Sequence, residues 1–196
     1  MLTLRRFNNG TTIIVIVLGL YIVILPFLPE VIYRVNQVNK PADGGAPYSG
    51  QLAGSDDDRK DPPSDNRIVI PSLQLNEPVK KGNNIGVLND GGTWLRPKTS
   101  APDEQGNTVI VGHRYYQRNL STFYNLDKLK VGERIGVYWE GKEYVYKISE
   151  IKVVPADAGY IEEQTNEKQL TLYTCTPIWT AKDRLVVVAK YEEPAL

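Results

Sequence analysis

The sequence predicts an all-β domain, closed into an antiparallel barrel, with one apolar helix before it. From Asn66 onward the chain breaks into short runs of β-branched and aromatic residues, most of strand length and separated by turn-forming residues. In this region a single segment has apolar residues at helical spacing. Many short strands with one small helix are typical of a closed barrel.

Composition limits the functions that the chain can have. Its 196 residues suffice for one ordinary domain plus extra segments. The 23 Lys and Arg residues balance 23 Asp and Glu residues, and no basic stripe with interleaved aromatic residues is present, which argues against nucleic-acid binding. One cysteine excludes an intramolecular disulfide, and one cysteine with one histidine cannot build a closed zinc site. The lone thiol therefore serves either packing or chemistry.

The N-terminal segment predicts a membrane anchor. Residues 1–10 are polar and carry Arg5 and Arg6, and Thr11 to Leu28 are eighteen residues without a charge. As a helix this run is roughly 27 Å long, close to the hydrocarbon thickness of a bilayer. We expect a signal-anchor helix over residues 11–33 with a cytoplasmic N-terminus, since a basic flank favours that orientation. A cleaved signal peptide fits less well because no small-residue cleavage pattern follows promptly, and the all-round apolar character disfavours a buried core helix.

Residues 34–65 predict a flexible extracellular linker. They contain four Pro, four Gly and six Asp with almost no large apolar side chains, so they cannot bury enough surface to order themselves. Asp56 to Asp58 are interpreted as a solvated charge run. A calcium loop is the alternative, but the ligand spacing and central Gly of an EF-hand are missing.

Residues 66–193 hold the predicted catalytic domain. Its predicted strands are 67–70, 108–111, 134–139, 143–154, 170–174 and 185–191, with a hairpin turn at 140–142. Between the second and third strands, Leu120, Phe123, Leu126 and Leu129 recur at helical spacing. This spacing predicts one short helix over residues 119–130 that lies on the sheet.

The segment around Cys175 carries the predicted chemistry. Residues 170–175 alternate as in a strand, and Pro177 cannot continue a central strand, so Cys175 stands at the C-terminal end. After a short loop, Arg184 begins the next apolar run, nine positions after the cysteine. We expect the thiol and the guanidinium to end two neighbouring strands. A small buried hydrophobe is the alternative interpretation of Cys175.

His113 and Arg184 are the candidate partners of the thiol. His113 is the one histidine of the chain and follows a predicted strand, and its ordinary pKa suits proton transfer near neutrality. A surface histidine is the alternative. Arg184 can either stabilise the negative oxygen formed by thiolate attack on a carbonyl or pair with Asp183 or Glu192 as an ordinary surface charge. Three other arginines are rivals for the first role, namely Arg114, Arg118 and Arg134.

These motifs together resemble the sortases, membrane-anchored cysteine transpeptidases of bacteria. The resemblance lies in Leu-Thr-Leu-Tyr-Thr-Cys at 170–175, the Arg-Leu-Val-Val at 184–187, and Gly-His-Arg at 112–114, and it extends from Arg67 to Tyr191. It implies an eight-stranded barrel with one or two short helices. It also implies that Cys175 is the nucleophile, His113 the general acid and base, and Arg184 the group that stabilises the oxyanion.

The resemblance implies a reaction and its partners. Cys175 would cleave a sorting signal of the Leu-Pro-x-Thr-Gly or Leu-Ala-x-Thr-Gly kind after the threonine and hold the protein as a thioester. An amine from a cell-wall precursor or from a lysine of another surface protein would then resolve the thioester. Thr174 matches a residue that helps hold the substrate, with a plain strand threonine as the alternative. Trp179 either lines the substrate groove or covers the end of the barrel.

The loop after Cys175 most resembles those of class E or class D enzymes. Pro63 stands where the lid of pilus-building sortases has an aromatic residue after Asp-Pro, which favours general protein anchoring over pilin polymerisation. The implied location is the cell membrane, with one span and an extracellular catalytic domain. No cofactor is expected. Calcium at Glu162 and Glu163 is disfavoured because two adjacent carboxylates are too few ligands.

Two functions from other classes stay open. One is a cysteine peptidase that hydrolyses its thioester, and the other is an inactive domain of the same shape that serves as a scaffold. An L,D-transpeptidase is disfavoured because its Ser-x-Gly-Cys nucleophile motif is absent.

Overall fold

The described residues form two separate compact units, one holding a helix and the other a barrel. The computed structural model describes residues 2–25, 63–115 and 122–193. Helix α1 covers Leu2–Ile24, and its large apolar side chains from Ile13 onward are exposed. Within these described ranges, no helix is both long enough and apolar enough to cross a membrane. Residues 26–33 of the predicted anchor and nearly all of the predicted linker lie outside the described residues.

Eight strands close into a barrel, which confirms the predicted fold class. The strands are β1 (Arg67–Ile70), β2 (Leu75–Lys80), β3 (Thr93–Leu95), β4 (Asn107–Val111), β5 (Arg134–Trp139), β6 (Lys142–Pro155), β7 (Gln169–Thr176) and β8 (Asp183–Tyr191). Their order around the barrel is β1-β2-β3-β4-β7-β8-β6-β5. Every strand thus has two neighbours. Strand β7, which holds Cys175, lies between β4, which ends two residues before His113, and β8, which holds Arg184.

The barrel is mixed, so the prediction of a purely antiparallel barrel is wrong. Strands β2 and β3 pair in parallel, and so do β4 and β7. Between β4 and β7 the chain makes the β5–β6 hairpin and returns to the same end of the barrel, so β7 runs beside β4 in the same direction. Parallel neighbours need such a long crossover, whereas antiparallel neighbours can be joined by a tight turn. The consequence for the site is that β4 and β7 end on the same side.

The six predicted strands are all present, but β2 and β3 are missing from the prediction. Strand β2 has the polar sequence Leu-Asn-Glu-Pro-Val-Lys, and a proline within a run argues against a strand. Strand β3 is only three residues long, which is too short for an alternating pattern. Both strands are set by their neighbours in the closed barrel and not by their own sequence.

The helix predicted over residues 119–130 is not seen in its described part. Residues 119–121 lie outside the described residues, and of the rest a 3-10 turn forms over Leu126–Lys128. It ends because Leu129 adopts an extended backbone. Phe123, Leu126 and Leu129 nevertheless pack into the main core, so the apolar spacing reflects burial of this segment on the barrel.

Candidate active site

Cys175 and Arg184 face each other across β7 and β8. The antiparallel register pairs Cys175 with Arg184, and Thr176 with Asp183 in the next step. Residues directly opposite in an antiparallel ladder have Cβ atoms about 5 Å apart. Backbone pairing therefore places the two residues side by side at the ends of neighbouring strands, as the spacing in the sequence predicts.

His113 reaches the same place from β4. The parallel ladder between β4 and β7 ends at the pair Val111 and Tyr173, and two side-chain hydrogen bonds continue beyond it. The Thr174 hydroxyl donates to the Gly112 carbonyl at 2.8 Å, and the Arg114 Nη1 donates to the Thr176 hydroxyl at 2.8 Å. His113 is thus bracketed by residues bonded to the two neighbours of Cys175.

One cavity of about 360 Å³ joins the three candidate residues. Its walls include His113, Cys175 and Arg184, and Trp94, Arg96 and Tyr173 complete one side. Cys175 is half-buried and carries a free thiol, which disfavours the interpretation as a core residue. The cavity is therefore the place where a peptide carbonyl could meet the thiol.

The backbone at His113 is held tightly from below. A Cβ atom on Gly112 would lie 2.8 Å from the Phe123 ring, so only glycine allows this approach. The Phe123 N–H also donates to the His113 carbonyl at 2.9 Å. The imidazole itself is half-buried, and this burial lowers the pKa of His113 below its ordinary value. Near neutral pH the ring is therefore mainly an uncharged proton acceptor.

The structure disfavours the surface-pair interpretation of Arg184. Its Nη1 donates to the carbonyls of Ala181 and Asp183 at 3.0 and 2.9 Å. Glu192, a predicted alternative partner, instead pairs with Arg134 at 2.6 Å. Within the described ranges no carboxylate forms an ion pair with Arg184. A guanidinium has five N–H donors, so donors remain for an oxyanion in the cavity.

Glu162 supports the cavity wall through three hydrogen bonds. It accepts from Nε and Nη2 of Arg96 at 2.8 and 3.1 Å and from the Tyr173 hydroxyl at 2.5 Å. Burial, and then the bond to Glu162, raise the pKa of Tyr173 well above its ordinary value. The carboxylate of Glu162, one of the two considered as calcium ligands, is thus paired with Arg96. In the described part of the chain, no cluster of three or more His, Cys, Asp or Glu side chains is arranged to hold a metal ion.

The two predicted substrate-binding residues lie in different surroundings. Thr174 is 1% exposed, and its hydroxyl is used by the Gly112 carbonyl. Trp179 is 69% exposed, which disfavours the interpretation that it covers the end of the barrel. Its ring contacts that of Tyr115, with 5.0 Å between the centroids. Trp179 therefore stands in the loop after Cys175, against the residue two positions after His113.

Sequence reasoning missed the contributions of Arg96, Thr176 and Arg114. From the sequence, Arg114 is only an alternative to Arg184 as the arginine that stabilises the oxyanion. In the structure it is buried and bonded to Thr176 and Asp127. The one signal in the sequence is its position directly after His113. The partners of Arg96 and Arg114 are distant in the chain, so spacing alone does not reveal them.

Comparison with known proteins identifies the family. A profile of the sortase domain matches residues 68–192. Sortase SrtE2 of Streptomyces coelicolor is 34% identical over 125 residues, covering 56% of this chain and 48% of that protein. Sortase A of Bacillus anthracis is 29% identical over 121 residues, covering 62% and 56% respectively. The chain thus spans about half the length of these curated relatives.

Solved structures show the same fold. Sortase C1 of GBS Pilus Island 1 superposes with a TM-score of 0.61 at 28% identity, covering 66% of this chain and 64% of that one. A Clostridium perfringens Sortase D5 transpeptidase gives 0.59 at 30% identity, covering 66% and 79%. Relatives named as A, C, D and E types all match, so the expectation of class E or class D stays a prediction. Because the sortase-domain match covers more than half of the sequence, the chain belongs to the sortase family.

Proposed function

We propose that this chain is a cysteine transpeptidase that cleaves a sorting signal and transfers the protein to an amine. The observation that carries the proposal is the meeting of three groups in one cavity. Cys175 stands opposite Arg184 in the β7–β8 ladder, and His113 lines the same cavity from the end of β4. A nucleophile, a proton carrier and an oxyanion donor are the groups that acyl transfer requires.

The first half-reaction would form a thioester. Neutral His113 takes the proton of the Cys175 thiol, and the thiolate attacks the carbonyl carbon of the threonine of the signal. Arg184 donates hydrogen bonds to the oxygen that becomes negative. The carbon–nitrogen bond then breaks as the His113 imidazolium gives its proton to the departing amine.

The second half-reaction would resolve the thioester. An amine from a cell-wall precursor, or a lysine of another surface protein, attacks the thioester carbon. Neutral His113 accepts the proton that this amine loses, and the Cys175 thiolate departs. Burial lowers the pKa of His113 below its ordinary value, and this supports the step, because it favours the uncharged ring that must accept the proton.

The same proposal includes location and class. The uncharged run from Thr11 to Leu28, whose last three residues lie outside the described ranges, supports a single membrane anchor with the barrel outside the cell. The basic residues Arg5 and Arg6 support a cytoplasmic N-terminus. The match to Sortase SrtE2 favours class E, and Pro63 in place of a lid aromatic favours general anchoring of surface proteins.

Intact mass spectrometry of the full-length chain tests the proposal. The chain is incubated briefly with Leu-Pro-x-Thr-Gly and Leu-Ala-x-Thr-Gly peptides, beside a Cys175→Ala control. We expect an adduct equal to the peptide up to its threonine, absent from the control and discharged faster by an added amine. If the added amine does not change the rate at which the thioester adduct disappears, the chain would be a hydrolytic peptidase. No adduct with either peptide, from folded protein with a reduced thiol, would count against the proposed activity.

A further inference from the structure

Arg114 is the one buried charged residue among those that the structure describes, with 7% of its surface exposed. Burying a guanidinium is unfavourable unless it is paired. Its Nη2 lies 2.8 Å from Oδ2 of Asp127, and its Nη1 donates to the Thr176 hydroxyl at 2.8 Å. Arg114, Asp127 and Thr176 are called the Arg114 clamp below.

The clamp joins three parts of the chain, which contact one another through the Arg114 guanidinium. Arg114 directly follows His113, and Thr176 directly follows Cys175. Asp127 belongs to the 3-10 turn that begins three residues after Phe123, whose N–H holds the His113 carbonyl. A single guanidinium therefore ties the ends of both site strands to the segment packed under them.

Arg114 is not placed to contact a substrate. It is absent from the residues that line the cavity, and both of its terminal nitrogens are used inside the protein. At this strand end, Val111, Gly112 and His113 line the cavity. Any effect of Arg114 on the reaction must therefore pass through another residue.

We propose that Arg114 is a positioning residue that holds the end of β7 at Cys175 against His113. The backbone ladder between β4 and β7 stops at Val111 and Tyr173, two positions before the reacting groups. Beyond that point two side-chain hydrogen bonds join the two chain segments. The Thr174–Gly112 bond lies one residue before Cys175 and His113, and the Arg114–Thr176 bond of the clamp lies one residue after them. Proton transfer needs the two side chains within hydrogen-bond reach.

This inference rests on the proposed function where it concerns the rate of acyl transfer. The positioning itself can be tested without a peptide substrate. Cys175 is the single cysteine of the chain, so alkylation by iodoacetamide, followed by intact mass, reports on this thiol alone. The alkylation rate of any thiol rises with pH as the thiol ionises. In the wild-type chain we expect a second inflection besides this rise, one that depends on His113 and that His113→Ala removes. The Arg114→Met and Thr176→Val variants should lose the same inflection.

Matched variants separate positioning from general loss of stability. Thr176→Val keeps the shape of the side chain and removes the hydroxyl, whereas Thr176→Ser keeps the hydroxyl. Arg134→Met removes an ion pair with Glu192 elsewhere on the barrel and should keep the inflection. With peptide substrate, Arg114→Met and Thr176→Val should each lower kcat for acylation by about 10- to 100-fold with little change in KM. Thr176→Ser should recover most of this rate.

The outcomes are distinguishable. The clamp is overturned if the His113-dependent inflection persists in Arg114→Met and Thr176→Val. It is also overturned if this inflection is absent from the wild-type chain. Equal losses in Arg134→Met and Arg114→Met, or losses confined to KM, overturn it as well. A wild-type chain with the His113-dependent inflection but no acylation would instead refute the proposed substrate, with the clamp still tested by alkylation.

Discussion

The two edges of strand β7 bring its cysteine to its partners in different ways. Along β8 the backbone ladder is regular to the end of the strand, and the register alone places Arg184 opposite Cys175. Along β4 the ladder stops at Tyr173, and side chains make the remaining connections to Gly112 and Arg114. Cys175 thus depends on backbone pairing for one partner and on side-chain bonds for the other.

This difference between the two edges predicts whether a substitution lowers the stability of the barrel or only the rate of the reaction. Backbone hydrogen bonds persist when a side chain changes, so variants on the β8 edge should lose chemistry and keep their structure. Connections made by side chains are lost with the side chain, so variants on the β4 edge should lose geometry and stability together. The four predictions below test this contrast.

The largest expected effect is on the β8 edge. Replacing Arg184 by Met removes the proposed oxyanion donor and should lower the rate of acylation by about 10²- to 10³-fold. The melting temperature should hardly change, since the hydrogen bonds that its guanidinium makes go to the carbonyls of Ala181, in the loop, and of Asp183, its neighbour at the start of β8. Acylation kinetics and thermal unfolding check both parts. A large drop in melting temperature would show that this edge is not held by the backbone alone.

The next effect is on the β4 edge at Gly112. Alanine there places a Cβ 2.8 Å from the Phe123 ring, and such overpacking typically costs about 1–3 kcal/mol. Urea unfolding of Gly112→Ala should show this loss together with slower acylation. The double variant Gly112→Ala/Phe123→Leu makes room for the methyl group and should recover part of the stability. No recovery would mean that the contact with Phe123 is not the reason for glycine.

Two threonines of β7 form a matched pair for the third prediction. Thr174 and Thr171 are both 1% exposed, and both donate hydroxyl bonds of 2.8 Å, to the Gly112 carbonyl and the Asn107 side chain respectively. Valine at position 174 removes the hydroxyl donor of the Gly112 carbonyl, and valine at position 171 leaves the Asn107 oxygen only a longer bond, from Gln169 Nε2 at 3.4 Å. Losing such a buried hydrogen bond costs about 1–3 kcal/mol. Both variants should lose similar stability, but only Thr174→Val should also lose acylation rate. Equal rates in the two variants would deny Thr174 a part in the site.

The smallest expected effect concerns pH. Because burial lowers the pKa of His113 in the folded chain, the unfolded chain binds a proton more readily. The stability that follows is fully present above the unfolded pKa of about 6.5 and is lost as pH falls through that value toward the folded pKa. The difference in unfolding free energy between wild type and His113→Asn should therefore decrease on acidification below about pH 6.5. A difference that grows instead would mean that the folded ring prefers its charged form.

The sequence predicts the features that depend on neighbours along the chain. The strand pattern of 170–175 and the nine-residue spacing to Arg184 locate one pair correctly because a short loop and an antiparallel register leave little choice. The Gly-His-Arg run locates His113 but not its support, since Asp127 and Thr176 bind Arg114 only after the barrel closes. The parallel pairing of β4 with β7 is missed for the same reason.

The bonds on the β4 edge have a consequence for when the thiol becomes active. Each of the two side-chain bonds joins residues 62 positions apart. Contacts between residues so distant in sequence form late, when most of the domain has folded. Until then the thiol has neither its imidazole nor its fixed surroundings. A newly made chain, still unfolded among other unfolded chains, would thus carry an unassisted cysteine. Completion of the barrel would thus be the step that assembles the proposed active site.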